Sequence, residues 1–304
     1  MATFRWFASI VLAATMIHPL PAETSCPGSV ISVPLRPVNR HQLIVAVSLN
    51  NSGPYNFLLD TGTQITMIDA SLATRLQLEI HGTAVVKGVG SQSAASFAHL
   101  DQIAAGSHTV AKQKVLVFDL QKLKSPDLQI QGILGEDFLE HFDMLIDNAH
   151  RLLCLDNSGM MRAGIHGPHI ALLAPAQEPA QERLADSLIV SAHLSDGMRP
   201  VRLKLDSGTN NPFLYSVSKY MAFGLLRGAS WHGMGANGNQ EAFMALPPQN
   251  VKIGALELSK VLFVTLVAAQ NDSHASEFDG LMSMGSFKRV FISHEDHFAV
   301  LDPW

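Results

Sequence analysis

The chain has 304 residues, which suits two ordinary domains or one bilobed domain with a large core. Hydrophobic residues make up 47% and charged residues 15%, a composition that excludes an intrinsically disordered chain. The formal net charge is −5 and the 21 Lys and Arg residues do not cluster, so we expect no nucleic-acid partner.

The first 22 residues have the pattern of a secretory signal peptide. Arg5 gives a short positive region, residues 7–17 form an apolar run, and Ala22 offers a small residue at a cleavage point. An uncleaved membrane anchor is the alternative, but a spanning helix needs about 20 apolar residues. We therefore predict an exported protein, periplasmic or secreted, with no stable membrane span.

The sequence contains two cysteines, Cys26 and Cys154. In an exported protein they can form one disulfide within the first half of the chain. The alternative is two unrelated thiols, with Cys154 as a core strand residue. The sequence leaves this choice open because it gives no distance between them.

Beyond the signal, many short apolar strands separated by closely spaced turn signals predict an all-β barrel or sandwich. Short helices are predicted at 70–76, 137–142 and 216–223. Residues 158–184 contain several Gly and Pro residues and a polar stretch. This composition predicts a connection between two halves, which would comprise 23–157 and 185–304.

The two halves repeat one strand-to-turn unit. Each unit begins with Leu-Ile-Val, crosses a Gly-containing turn, and returns along an apolar strand, reading FLLDTGT at 57–63 and VRLKLDSGT at 201–209. This hairpin signal, used twice, indicates an internal duplication. If the halves pack with pseudo-two-fold symmetry, the carboxylates of Asp60 and Asp206 meet in one place.

The paired Asp-Thr/Ser-Gly motifs and the apolar-apolar-Gly element at 133–135 resemble the retropepsin-like aspartic proteases. This fold group includes retroviral proteases and, more distantly, pepsin; the resemblance is to the single-chain bacterial type with two fused halves. It covers the chain from about residue 30 onward. It implies an acid-protease barrel of two pseudo-symmetric halves with short helices, and an aspartic endopeptidase that activates water between Asp60 and Asp206.

The resemblance also implies roles for the neighbouring residues. Two carboxylates about 3 Å apart do not both ionise easily, so they share one proton, as is general for aspartic proteases. One acts as base and the other as acid, without a cofactor or metal. The glycines of the two motifs allow a close approach of the loops, and the hydroxyls bond across to the opposite loop. These loop-support residues are Thr61, Gly62, Ser207 and Gly208.

Two Gly-rich hairpins resemble the flaps that close over a peptide substrate. Flap closure excludes water and adds strand-like hydrogen bonds to an extended peptide or protein. Neither hairpin contains Tyr, so both resemble the retroviral type more than the pepsin type. Ordinary exposed hairpins are the alternative. The expected flap residues are Gly88, Val89, Gly90, Gly233, Met234 and Gly235.

The second half departs from the family pattern. Ser283 stands where the motif has Gly, and Asn210 and Asn211 follow Thr209. We expect these departures to loosen the loop beneath Asp206. They motivate one alternative, a non-catalytic peptide-binding protein of the same fold. A second is a protease whose active dyad forms between the first halves of two chains, although we expect a monomer.

The sequence His-Glu-Asp-His at 294–297 has the composition of a metal site. It lies between two apolar runs and matches the turn at 147–150 of the first half. We interpret these residues as solvated turn residues and predict no metal.

Overall fold

The computed structural model describes residues 26–38, 41–88, 91–123, 129–174, 188–215, 230–234, 240–267 and 278–304. The predicted signal peptide and the predicted helix at 216–223 lie outside these ranges. Within them, no helix combines the length and the apolar character that crossing a bilayer requires.

The first half consists mainly of strands. Its strands are β1 (Ser32–Pro37), β2 (Leu43–Leu49), β3 (Ser52–Leu59), β4 (Met67–Asp69), β5 (His81–Gly88), β6 (Ser91–Ala105), β7 (His108–Phe118), β8 (Gly132–Leu134), β9 (Asp143–Asp147) and β10 (Leu152–Asp156). Its helical segments are α1 (Ala70–Arg75), α2 (Glu136–Leu139) and the 3-10 turns Pro27–Ser29 and Gln121–Leu123. The helices predicted at 70–76 and 137–142 correspond to α1 and α2.

The hairpin of β2 and β3 carries the first aspartate motif. Asn50 and Asn51 form its turn with φ angles of 47° and 64°, a left-handed conformation that Asn tolerates and that suits the twist of a tight hairpin. The register pairs Val45 with Phe57, both fully buried. Packing of this face fixes the register, because a slip of one residue would turn these side chains to the other face.

The strands of the first half close into a barrel. Neighbouring strands pair in the order β2, β3, β8, β4, β7 and β6, and β6 pairs back with β2. The β3–β8 and β4–β7 pairs are parallel, whereas the β6–β7 and β2–β3 pairs are antiparallel. The barrel interior is filled by fully buried side chains such as Leu59, Ile68 and Val115. Closure leaves β5, the first strand of the β5–β6 hairpin, at the outer edge of the sheet.

The second half repeats this arrangement with shorter strands. Between the halves lie α3 (Met160–Ala163) and β11 (Ile170–Ala171). The following strands are β12 (Ile189–Leu194), β13 (Val201–Asp206), β14 (Phe213–Leu214), β15 (Ser230–Met234), β16 (Gln240–Ala245), β17 (Gln249–Ile253), β18 (Leu256–Val261), β19 (Val264–Leu266), β20 (Gly280–Ser283), β21 (Phe287–Ser293) and β22 (Phe298–Pro303), with a 3-10 turn at Met284–Ser286.

The long strands β6 and β7 of the first half have two-part counterparts in the second. Strands β16 and β17 are separated by a segment containing Pro247 and Pro248, and β18 and β19 by Leu262 and Phe263. Proline lacks the N–H that a strand needs for its ladder, which explains the interruption after β16. The prediction of an all-β molecule with two similar halves and short helices is confirmed.

A continuous antiparallel sheet joins the two halves. The order β11, β22, β21, β9, β10, β1 places β21 of the second half directly beside β9 of the first. Val290 pairs with Ile146 and Phe291 with Leu145 in this register, and all four side chains are buried. The halves therefore share backbone hydrogen bonds as well as an apolar core.

Cys26 and Cys154 form a disulfide across 128 positions of sequence, which resolves the alternative left open by the sequence. Both residues are buried in a small cluster with Met161 and Phe291. The bond ties the segment before β1 to the strand β10.

We expect replacement of both cysteines by Ala to lower the free energy of unfolding by about 2–4 kcal/mol, since the crosslink restricts a long loop of the unfolded chain. Urea unfolding followed by circular dichroism measures the loss. Reductant should destabilise the wild type by a similar amount and leave the double variant unchanged. A variant as stable as the oxidised wild type would contradict the expected contribution.

Candidate active site

The strands β3 and β13 deliver the two aspartates to the centre of the molecule. Asp60 follows β3 directly, and its backbone N–H donates to the carbonyl of Leu134 at 3.0 Å. Asp206 ends β13, where it pairs with Ser283 of the parallel strand β20. Along β13 the odd-numbered side chains are fully buried in the core, so Asp206 lies on the opposite face.

Four hydrogen bonds lock the two aspartate loops together. The Thr61 hydroxyl donates to the Leu205 carbonyl at 3.0 Å, and the Ser207 hydroxyl donates to the Leu59 carbonyl at 2.9 Å. Each hydroxyl also accepts a backbone N–H from the other, at 3.0 Å for the N–H of Ser207 and 3.1 Å for that of Thr61. Both side chains are buried, so these bonds satisfy groups that water does not reach.

The glycines of the two motifs lie against the opposite carboxyl groups. A Cβ atom added to Gly62 would lie 2.6 Å from Oδ2 of Asp206, and one added to Gly208 would lie 2.4 Å from Cγ of Asp60. Any larger residue would displace a carboxyl group. The structure thus brings Asp60, Asp206 and both glycines to one point, as the repeat in the sequence predicts.

Hydrogen bonds from its own loop orient each carboxyl group. Asp60 accepts from the N–H of Gly62 at 2.8 Å on Oδ1 and from the hydroxyl of Thr63 at 2.8 Å on Oδ2. Asp206 accepts from the N–H of Gly208 at 2.7 Å and of Thr209 at 3.2 Å, both on Oδ1. The loops are therefore similar but not identical, and the difference concerns the second oxygen.

The two carboxyl groups differ in their surroundings. Asp206 is 7% exposed, whereas Asp60 is partly exposed. Burial raises the pKa of Asp206 to about 7, and the negative charge of Asp60 and a hydrogen bond between the two side chains add to the rise. The proton of the pair is therefore better accommodated on Asp206.

Each motif glycine also has its carbonyl bound by a side chain of the other half. Nζ of Lys204 donates to the Gly62 carbonyl at 2.7 Å, and Nε2 of Gln42 donates to the Gly208 carbonyl. Sequence reasoning did not single out either residue. The available signal was the charge of Lys204 in the otherwise apolar run Leu203–Leu205 that leads to an aspartate motif.

Ser283 stabilises the second loop, so the expectation that it loosens this loop is wrong. Its hydroxyl donates to the carbonyl of Thr209 at 2.7 Å. In the first half Gly135 occupies the matching place, where an added Cβ would lie 2.9 Å from the carbonyl of Thr63. A side chain at this position therefore faces the loop carbonyl, and Ser supplies a hydrogen bond there that Gly cannot.

The first loop is braced by a different pair, which sequence reasoning also missed. The Thr66 hydroxyl accepts the N–H of Gly135 at 3.1 Å, and Thr66 donates its own N–H and hydroxyl to Oδ1 of Asp137 at 2.8 and 2.7 Å. Burial raises the pKa of Asp137 to about 6, although the bonds from Thr66 oppose the rise.

The hairpins predicted as flaps lie at equivalent edges of the two sheets. Gly88 ends β5 of the β5–β6 hairpin, and Gly233 and Met234 end β15 of the β15–β16 hairpin. Val89, Gly90 and Gly235 lie outside the described residues.

The His-Glu-Asp-His sequence forms the turn between β21 and β22. His294 donates from Nδ1 to the Phe142 carbonyl at 2.6 Å, and its Nε2 lies 3.2 Å from Oε1 of Glu136. Glu295 and Asp296 form ion pairs with Arg162. In the ranges that the structure describes, no group of three or more His, Cys, Asp or Glu side chains is arranged to hold a metal ion.

Comparisons with known proteins agree with this geometry. Residues 45–138 match the family described as aspartyl protease. No curated protein sequence matches the chain.

Solved structures similar to the chain include two aspartic proteases. One is an aspartic proteinase from Irpex lacteus, which is 12% identical, covers 90% of this chain and 97% of its own, and superposes with a TM-score of 0.52. The other is a retropepsin-like aspartic protease from Rickettsia conorii, which is 22% identical, covers 41% of this chain and 88% of its own, and has a TM-score of 0.30. The chain therefore has the fold of a pepsin-like aspartic proteinase, and its first half matches the aspartyl protease family.

Proposed function

We propose that the protein is an aspartic endopeptidase in which one chain supplies both catalytic residues, Asp60 and Asp206. The observation that carries this proposal is the cross-bonded pair of aspartate loops, in which the bonds of Thr61 and Ser207 hold each carboxyl group against the motif glycine of the other half. Rigid placement of two carboxyl groups in different protonation states is the arrangement that general acid–base hydrolysis needs.

In this proposal the two carboxyl groups act together on a water molecule. Asp60, as carboxylate, takes a proton from the water while the water oxygen attacks the scissile carbonyl carbon. Asp206, as carboxylic acid, gives its proton to the carbonyl oxygen, and a neutral tetrahedral diol forms. The proton on Asp60 then passes to the leaving nitrogen, a diol hydroxyl returns its proton to Asp206, and the C–N bond breaks. The chemistry needs no metal or cofactor.

The substrate we propose is an extended peptide that lies across both halves. The hairpins β5–β6 and β15–β16 lie at equivalent edges of the two sheets. Edge strands have free backbone groups, and we propose that these hairpins bind such a chain through backbone hydrogen bonds. We further propose that the protein is exported, as the signal-like first 22 residues suggest, and acts on peptides outside the cytoplasm. The disulfide is consistent with an oxidising compartment.

The geometry favours this proposal over the alternatives. The departures at Ser283 and Asn210 motivated a non-catalytic binding protein, but Ser283 braces the Asp206 loop. A dyad formed between the first halves of two chains would require Asp60 to leave the loop of Asp206, breaking the buried bonds of Thr61 and Ser207.

Purified protein incubated with a mixture of unfolded proteins should generate new peptide termini. Mass spectrometry across pH 3–8 detects these termini, and a peptide mimic with a hydroxyl in place of the scissile carbonyl should suppress them. A protein that binds the mimic without producing new termini would support the binding-protein alternative. A protein that does neither would overturn the proposed function.

A further inference from the structure

Lys204 is a buried cation on the strand that carries Asp206. Only 3% of the residue is exposed, and the corresponding residue of the first half, two positions before Asp60, is the apolar Leu58. Leu58 pairs in parallel register with Ile133, and Lys204 pairs in the same way with Leu281. Burying an ammonium group is costly unless nearby groups compensate its charge, so the exchange of Leu for Lys needs a physical reason.

The contacts of the ammonium group point toward the aspartate pair. Nζ donates to the Gly62 carbonyl at 2.7 Å and lies 5.8 Å from the ring centroid of Phe278. Among the residues that the structure describes, no carboxylate forms a direct ion pair with Lys204. The negative charge of the aspartate pair therefore acts on the Lys204 ammonium group without a direct ion pair.

Gly62 connects the ammonium group to both carboxyl groups. Its N–H donates to Asp60, its Cα faces Oδ2 of Asp206, and its carbonyl accepts from Lys204. The cation and the two acidic side chains are thus in contact with one residue. Unit charges near one another interact more strongly in a buried site than they do in bulk water.

Other charged groups near β13 have partners of their own. Arg202, on the same face as Lys204, donates to the Ala174 carbonyl at 2.8 Å, and Asp279 accepts the backbone N–H of Arg202 at 2.8 Å. The register partner of Lys204 on β12 is the apolar Ile189. Among the described residues, the charged groups with the largest effect on Asp206 are Asp60 and Lys204.

We propose that Lys204 is a positioning residue that stabilises the singly charged state of the aspartate pair and thereby sets the pH range of peptide hydrolysis. The proposal rests on the proposed function, because the pair it tunes is the one assigned to catalysis. A nearby cation favours the ionised form of a carboxyl group. In agreement, the Lys204 charge opposes the rise that burial and Asp60 cause in the pKa of Asp206.

Two variants separate the charge of Lys204 from its hydrogen bond. Lys204→Met removes both, whereas Lys204→Gln keeps a donor for the Gly62 carbonyl. Loss of the cation makes ionisation of the pair harder, so both limbs of the pH profile of kcat/KM should move to higher pH by about one unit in either variant. The matched control is Lys252→Gln, an equal change of charge on an exposed side chain.

A second readout does not depend on activity. The carboxyl carbon resonance of Asp206, followed by ¹³C NMR, should titrate about one pH unit higher in Lys204→Gln than in the wild type. This shift in a protein without peptidase activity would keep the role of Lys204 and overturn the proposed function. Peptidase activity with unchanged pH limbs and an unchanged Asp206 titration would overturn the role of Lys204 and keep the proposed function.

Should both variants fail to fold, the wild type still tests the proposal. The ¹³Cε resonance of Lys204 should then change at the pH where Asp206 titrates, because the two charges interact, while that of Lys252 stays constant. A Lys204 resonance that is flat through this transition would overturn the proposal.

Discussion

Asp206→Asn is expected to lower kcat for peptide cleavage by about 10³–10⁴-fold, since the amide can neither give nor take the proton that the reaction moves. The fold should remain, because the amide oxygen can still accept the N–H groups of Gly208 and Thr209. Asp60→Asn should have a similar effect through loss of the base. Steady-state kinetics on a cleaved peptide measures both.

Asp101→Asn is the matched control, because Asp101 is an exposed aspartate in β6. It should leave kcat unchanged. Full activity in Asp206→Asn combined with an inactive Asp60→Asn would show that the second half contributes no catalytic residue. This outcome would favour a dyad between two chains.

Stability gives an independent check on the same variant. A carboxyl group whose folded-state pKa is raised to about 7 destabilises the fold as pH rises from its unfolded value of 3.8 through 7, because the folded protein binds the proton more tightly. Asp206→Asn removes this effect. The variant should therefore gain thermal stability over the wild type at pH 8 and show no gain at pH 3.

Thr61→Val is expected to reduce both stability and activity. Valine keeps the shape of the side chain but leaves the Leu205 carbonyl and the Ser207 N–H without a partner in a site that water does not reach. Two unsatisfied buried groups cost about 2–5 kcal/mol in free energy of unfolding. Because the same bonds align the carboxyl groups, kcat should fall by about 100-fold.

The pseudo-symmetry of the site supplies controls for this prediction. Thr61→Ser and Ser207→Thr exchange the two hydroxyl residues of the halves and should keep the hydrogen bonds. Ser207→Ala, which removes the other hydroxyl, should resemble Thr61→Val. Urea unfolding and kinetics on all four variants test the loop bonds, and equal stability of Thr61→Val and Thr61→Ser would show that they contribute little.

The sequence was informative where a local pattern repeats. The hairpin before Asp60 recurs before Asp206, and this repetition predicts both the duplicated fold and the meeting of the two aspartates. The sequence did not decide whether the two cysteines form a disulfide, because two cysteines 128 positions apart carry no information about their distance in space. The location of the hydroxyl bonds between Thr61 and Ser207 came from the family resemblance, since no sequence period encodes contacts between two loops.

What the sequence did not predict depends on the packing of one half against the other. Lys204 alternates with core residues along β13, and it is buried where the first half provides the Gly62 carbonyl. We expected Ser283 to loosen the loop beneath Asp206, because its hydrogen-bond partner, the Thr209 carbonyl, lies 74 positions away in sequence. In both cases the polar group is explained by an acceptor that only the folded chain brings near.

The pairing of β9 with β21 has a consequence for how the aspartate pair is assembled. A first half produced by itself would present β9 with unpaired backbone groups, and such a strand readily recruits another copy. An aspartate pair built from two separate copies would then form only above some protein concentration. With β21 supplied from the same polypeptide, the formation of the aspartate pair becomes independent of dilution.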